Sequence, residues 1–155
     1  MIKLAVFFSN LVKYEQKIAF PVREVWDLVS DFGSILDWLT PGERDAFASI
    51  KIEGEGVGSI RVLNLSGIGL VSHRLDVLDS SRFYLGYSLL SGNPLGMKEY
   101  FADLTLVCAG THSNLLWGGS FNSLLTGDDD VIANGLKGAY RGMSYGIEQF
   151  LRETG

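Results

Sequence analysis

The sequence predicts an α+β fold, a curved antiparallel sheet of about seven strands wrapped around a long C-terminal helix. Three observations carry that expectation. A segment of two-residue period near the N-terminus is followed at once by a stretch of helical spacing. Six further alternating segments run from residue 45 to 123, separated by short Gly, Ser, Asn or Asp turns. The chain then closes on one long amphipathic stretch. Consecutive strands of this kind have an apolar face to bury, and the last helix is the element available to cover it.

Each element has its own signal. In "LVKYEQKIAF" the residues Val12, Tyr14, Gln16, Ile18 and Phe20 share one face of a first strand, a face only weakly polarised. "PVREVWDLVSDF" switches to helical spacing, with Pro21 suited to a first turn and Val22, Val25, Trp26, Val29 and Phe32 on one stripe. A second short helix is expected in "GSILDWL". The six later strands are expected in "DAFASIKIE", "GSIRVLNL", "GLVSHRLDVLD", "RFYLGYSLL", "MKEYFADLTLV" and "SNLLWGGSF". "TGDDD" offers capping oxygens and carboxylates where a helix N-terminus favours negative charge. The helix that follows is expected over residues 128 to 152, with Ile132, Leu136, Ala139, Tyr140, Met143, Ile147, Phe150 and Leu151 as its apolar arc. No repeat, linker or low-complexity segment interrupts this order, so residues 1–155 read as a single domain of helix-grip type.

Composition narrows the function classes. Net charge is −5 and no stretch concentrates Lys or Arg, so nucleic acid and anionic lipid surfaces are poor partners. One cysteine, Cys108, leaves no internal disulfide or Cys-based cluster, and two histidines leave little for a His site, so neither a metal nor another cofactor is expected. The apolar run Leu4 to Phe8 is too short for a secretory signal and is followed at once by Ser9 and Asn10. It reads as a short extension or a first strand, with cytoplasmic residence as the default. No run of 18 apolar residues occurs, so no membrane span is expected.

One histidine stands out. In "GLVSHRLDVLD" the strand period places Val71, His73, Leu75 and Val77 on one face, where His73 is the only polar side chain. It is either a core histidine satisfied by a neighbour or part of a face lining something other than solid core. The other strands offer companion faces: Phe83, Leu85, Tyr87 and Leu89; Tyr100, Ala102, Leu104 and Leu106; Leu115, Trp117, Gly119 and Phe121. Trp26 and Trp38 read as helix anchors, with Trp38 also placed to form a rim. "GEGVG" at 54 to 58 reads as a hairpin turn, because no helix follows it and no Lys-Ser/Thr pair closes it. In the long helix Gly135, Gly138, Gly142 and Gly146 fall within about 80° of one another. That stripe either permits close backbone approach or keeps a channel open.

The segments "PVREVWDLVSDFGSILDWLTPG", "GVGSIRVLNLSG", "SHRLDVLDSSRFYLGYSL" and "KEYFADLTL" resemble the START/Bet v1-like (SRPBCC) superfamily, in particular its polyketide cyclase/dehydrase and lipid-transport branch, with some likeness to plant abscisic acid receptors. The likeness spans roughly residues 12 to 152. It implies a hydrophobic pocket between sheet and long helix for a lipid, polyketide, hormone or similar apolar molecule. Its pocket positions fall on His73, Tyr87, Leu89, Tyr100 and Trp117, and its pattern turns Arg61 inward. Leu63, Leu75, Ala102, Leu136, Tyr140 and Met143 complete the expected ligand-binding set. The receptors' gate proline is absent from "SGIGL" and their latch triplet is replaced by "GNPLG", which sets hormone-receptor gating aside. Two function classes stay open: a carrier or sensor of an apolar ligand, as monomer or homodimer, and a cofactor-independent cyclase with His73 and Tyr100 as acid/base groups. Nucleophilic and metal mechanisms lack parts.

Overall fold

The computed structural model describes residues 6–45 and 47–154. In chain order it contains β1 (Asn10–Ile18), α1 (Val22–Val29), α2 (Ile35–Trp38), α3 (Pro41–Arg44), β2 (Phe47–Glu53), β3 (Ile60–Leu65), β4 (Gly69–Asp79), β5 (Tyr84–Ser91), a 3-10 turn (Pro94–Gly96), β6 (Met97–Ala109), β7 (His112–Ser123) and α4 (Asp129–Thr154). All seven strands pair antiparallel in the order β1-β7-β6-β5-β4-β3-β2. From β2 to β7 the sheet is a simple meander, and β1 closes it by pairing with β7. The fold expected from the element order is the fold observed, with α4 on the concave face. Residues 6–8, the described part of the N-terminal apolar run, have no regular structure, and residues 1–5 lie outside the described residues.

Strand alternation sorts the sheet into two faces. On β6, Tyr100, Ala102, Leu104 and Leu106 are buried, and on β7 so are Leu115, Trp117, Gly119 and Phe121. Ile132, Leu136, Tyr140 and Ile147 of α4 pack onto that face, with Val25, Trp26 and Val29 of α1 beside them. Three local readings need correction. Val77 does not share the face of Val71, His73 and Leu75: a bulge between Leu75 and Val77 leaves Val77 38% exposed and brings Leu78 against the core. Phe83 is not part of β5; it takes a left-handed backbone (φ 51°) in the preceding turn and packs edge-on against Trp26, ring centroids 5.9 Å apart.

The third correction concerns the helices after β1, which number three rather than two among the described residues. "TPGE" forms α3 through a capping box. The Glu43 amide donates to Thr40 Oγ1 at 3.3 Å while the Thr40 amide donates back to the Glu43 carboxylate at 3.3 Å, and Pro41 occupies the first turn. This extra turn sets α2 and α3 along α4. There Gly146 permits the closest approach in the stripe: a Cβ at that position would overlap the Trp38 carbonyl oxygen.

Candidate functional site

Between the β3–β4 hairpin, α2, α3 and the first half of α4 the concave face is not filled. A cavity of about 460 Å³ is lined by Ile35, Leu39 and Glu43, by Arg61, Leu63, Leu65, Val71 and His73, by Tyr87, Pro94, Leu95, Met97 and Tyr100, and by Leu136, Gly138, Ala139, Tyr140 and Met143 of α4. Its walls are aliphatic and aromatic over most of this extent. Apart from the Glu43 carboxylate, which is held at Thr40, the polar groups form a sector of Arg61, His73, Tyr87, Tyr100 and Tyr140.

Register explains that sector. In the β3–β4 ladder Arg61 sits directly opposite His73, and Leu63 opposite Val71, so both pairs turn to the same inner face. Arg61 is 5% exposed and His73 8% exposed. Arg61 Nη1 donates to the Phe32 carbonyl at 3.1 Å and Nη2 donates to His73 Nδ1 at 3.3 Å. The guanidinium carbon lies 4.1 Å from the Phe32 ring centroid and 5.1 Å from that of Tyr87, a cation–π sandwich. Its Nε has no hydrogen-bond partner, and none of the ion pairs among the described residues includes it.

The neighbouring rings form a cluster. His73 lies 5.0 Å from Tyr87 and 6.5 Å from Tyr100, centroid to centroid. The hydroxyls of Tyr100 and Tyr140 are hydrogen-bonded to each other at 2.5 Å. Burial, with the Arg61 charge adding to it, holds the His73 imidazole well below the usual histidine range, so it is neutral at neutral pH. Because Nδ1 accepts from Arg61, the imidazole proton resides on Nε2. Burial raises the Tyr100 and Tyr140 phenols, with Tyr87 nearby adding to both, so they remain protonated. Burial lowers Arg61 from its ordinary value, and Tyr87 opposes that shift; a guanidinium nevertheless stays charged.

Of the residues expected in the ligand-binding set, Arg61, Leu63, His73, Tyr87, Tyr100, Leu136, Tyr140 and Met143 come together on the cavity wall. Leu75, Leu89, Ala102 and Trp117 do not. Leu75 and Ala102 are packed solid, 2% and 0% exposed, and Leu89 packs half-buried against the core beside His73. Trp117 does not line this cavity; Tyr140, which does, stacks on it at 5.1 Å with the ring planes 4° apart, and Trp117 borders a small adjoining void of about 20 Å³ with Arg61, Tyr87 and Met143. Its indole N–H donates to Ser144 Oγ at 2.9 Å. Trp38 is likewise an anchor, bonded to Ser34 Oγ at 3.0 Å.

The residues not anticipated, Ile35, Leu39, Glu43, Leu65, Pro94, Leu95 and Met97, come mostly from α2, α3 and the β5–β6 connection, while Gly138 belongs to the glycine stripe for which an open channel is one of the two expectations. The Thr-x-x-Glu capping signature of α3 and the i, i+4 spacing of Ile35 and Leu39 were visible signals for part of this set. Leu95 lies on the cavity rim at φ 57° and 52% exposed, a position that no local pattern announces.

The fold has solved counterparts. XoxI from Bacillus cereus superposes with a TM-score of 0.77 at 23% identity, covering 94% of this chain and 98% of that one. Norcoclaurine synthase from Thalictrum flavum, in complex with dopamine and hydroxybenzaldehyde, gives 0.74 at 19% identity over 99% and 98%. Ara h 8.0201 gives 0.71 at 20% identity over 93% and 98%. At these identities the likeness concerns the fold, which is Bet v1-like. Among curated protein sequences none matches significantly. The profile described as polyketide cyclase/dehydrase and lipid transport matches residues 11–148, so the chain belongs to that family, within the START/Bet v1-like superfamily.

Proposed function

We propose that the protein binds a hydrophobic small molecule, of lipid or polyketide type, in the cavity between the sheet and α4. Hydrophobic ligand binding is the general property of the family. The observation that carries the reading for this chain is the cavity of about 460 Å³ itself, lined mainly by apolar side chains, with most of its polar groups gathered around Arg61 and His73. That is the usual anatomy of a small-molecule site. Among the described residues no helix is long and apolar enough to cross a membrane. The reading takes residues 1–155 as one domain working in the cytoplasm, as monomer or homodimer, without nucleic acid. Native mass spectrometry of freshly purified protein tests it: a copurifying mass, or saturable uptake of the neutral dye Nile red, is expected. Leu63→Trp, which places an indole in the cavity, should weaken dye uptake with folding retained, and unchanged uptake would move the site elsewhere.

A second reading, a cyclase-type enzyme, draws on the proximity of His73 and Tyr100, 6.5 Å between ring centroids on one cavity wall. Both groups are donors at neutral pH: imidazole Nε2–H on one side, a raised phenol on the other. They are suited to polarising a ligand carbonyl, as aldol and dehydration steps require, and poorly suited to abstracting a proton. His73→Leu is expected to lower turnover of a polyketone by roughly a hundredfold with Nile red uptake intact; equal turnover removes His73 from the chemistry.

A further inference from the structure

The cavity needs a hydrophobic wall to hold an apolar ligand; it does not need a buried cation. Arg61 is nevertheless there, 5% exposed, and its partners among the described residues are one carbonyl, one neutral imidazole, two ring faces and the neutral Tyr87 hydroxyl. Placing a charge in such surroundings is costly unless an opposite charge compensates it. The carboxylate among the lining residues, Glu43, is engaged by the Thr40 amide and hydroxyl in the capping box and forms no ion pair with Arg61.

The groups around Arg61 share a second property: they have hydrogens left to give and few lone pairs left to offer. Two hydrogen bonds occupy one N–H each of Nη1 and Nη2, the Tyr87 hydroxyl interacts with the guanidinium as well, and Nε–H is left without an acceptor among the described residues. His73 spends its one acceptor nitrogen on Arg61, and its Nε2–H makes no hydrogen bond among the described residues. In the Tyr100–Tyr140 pair one hydroxyl donates to the other, and with the Tyr87 hydroxyl beside them the three phenols bring three O–H donors to this sector. A sector made of one uncompensated cation and several free donors is complementary to an anionic acceptor.

We propose that the cavity selects amphipathic molecules carrying a single carboxylate, the head against Arg61 and the His73 Nε2–H, the apolar body among Leu63, Val71, Leu136 and Met143. This rests on the ligand-binding reading above and adds the class of head group to it. A carboxylate there supplies the missing counter-charge and takes up unpaired donors at once.

The test is competition against Nile red at pH 7.5 with two matched pairs, decanoate against decanol and naphthalene carboxylate against the corresponding naphthyl methanol. In the wild-type protein at least one carboxylate should displace the dye tenfold or more better than its alcohol. Arg61→Met, of similar length and uncharged, should erase that preference, read as the ratio of carboxylate to alcohol competition at whatever dye affinity the variant itself has, and Arg61→Lys should keep part of it. Alcohols binding as well as carboxylates in the wild type overturn the proposal and leave the cavity reading standing, and they do so even where the methionine variant fails to fold. A preference that survives Arg61→Met overturns the role of Arg61. No saturable Nile red uptake by the wild type brings down both readings together.

Discussion

Gly138 and Gly146 stand about two turns apart on the same face of α4 and meet opposite surroundings. At Gly146 a Cβ would overlap the Trp38 carbonyl oxygen, whereas at Gly138 it would meet nothing within 4 Å. One end of the stripe is a backbone-to-backbone contact that only glycine allows; the other forms part of the cavity wall. Gly142, between them, would press against the Glu43 carboxylate at 2.6 Å, and Gly135 reaches only Leu95 side-chain atoms at 3.5 Å. Close packing and an open channel, alternatives for the stripe as a whole, are each true of a different end. Helix α4 is pinned to α2 at its closed half, and the space is held beside its first half.

The largest expected effect lies at the closed end. Gly146→Ala drives a methyl into a backbone carbonyl, so α2 or α4 has to shift, and stability should fall by about 1–3 kcal/mol despite the better helix propensity of alanine. An unchanged melting temperature would show that the two backbones are not in contact.

The cavity end should reveal itself through pH. The His73 imidazole is held below its unfolded value, mainly by burial and further by Arg61, so the unfolded chain binds the proton first as pH drops. Its contribution is fully present above about pH 6.5 and is lost as pH falls toward the folded value, by up to about 1.4 kcal/mol per pH unit. Chemical denaturation of wild type and His73→Gln between neutral and acid pH isolates this term, because the carboxylates cancel in the difference. Parallel stability curves would mean that His73 is not held neutral in the folded protein.

Smaller effects separate the middle of the stripe from its open end. Gly142→Leu displaces Glu43 from Thr40 and should cost about 1 kcal/mol, the usual worth of a helix cap. A thermal scan showing no loss would uncouple α3 from α4. Gly138→Ala, with open space around it, should gain up to about 1 kcal/mol from helix propensity and raise the melting temperature by about 2–4 °C. A decrease would mean that this half of α4 is packed after all, erasing the difference between the two ends.

Sequence alone determined what depends on period and punctuation. The two-residue alternation of "KEYFADLTLV" and "SNLLWGGSF" assigns inner and outer faces of β6 and β7 correctly at every position from Tyr100 to Leu106 and from Leu115 to Phe121, because alternation is a property of the strand itself. The same holds for the apolar arc of α4 and for the element order that specifies a helix gripped by a sheet. Tertiary structure decided whatever depends on distance between elements. Val71 and Leu75 share a face of β4, yet Val71 borders the cavity and Leu75 is solid core, since only the separation of α4 from the sheet distinguishes them. Trp117 reads as a pocket residue along its strand and becomes an anchor once Tyr140 stacks across it. The Arg61–His73 pairing required the β3–β4 register, and the lack of a counter-charge required knowing every neighbour. Periodicity orients a side chain toward the interior; how far away the next element stands determines whether that interior is packed or empty.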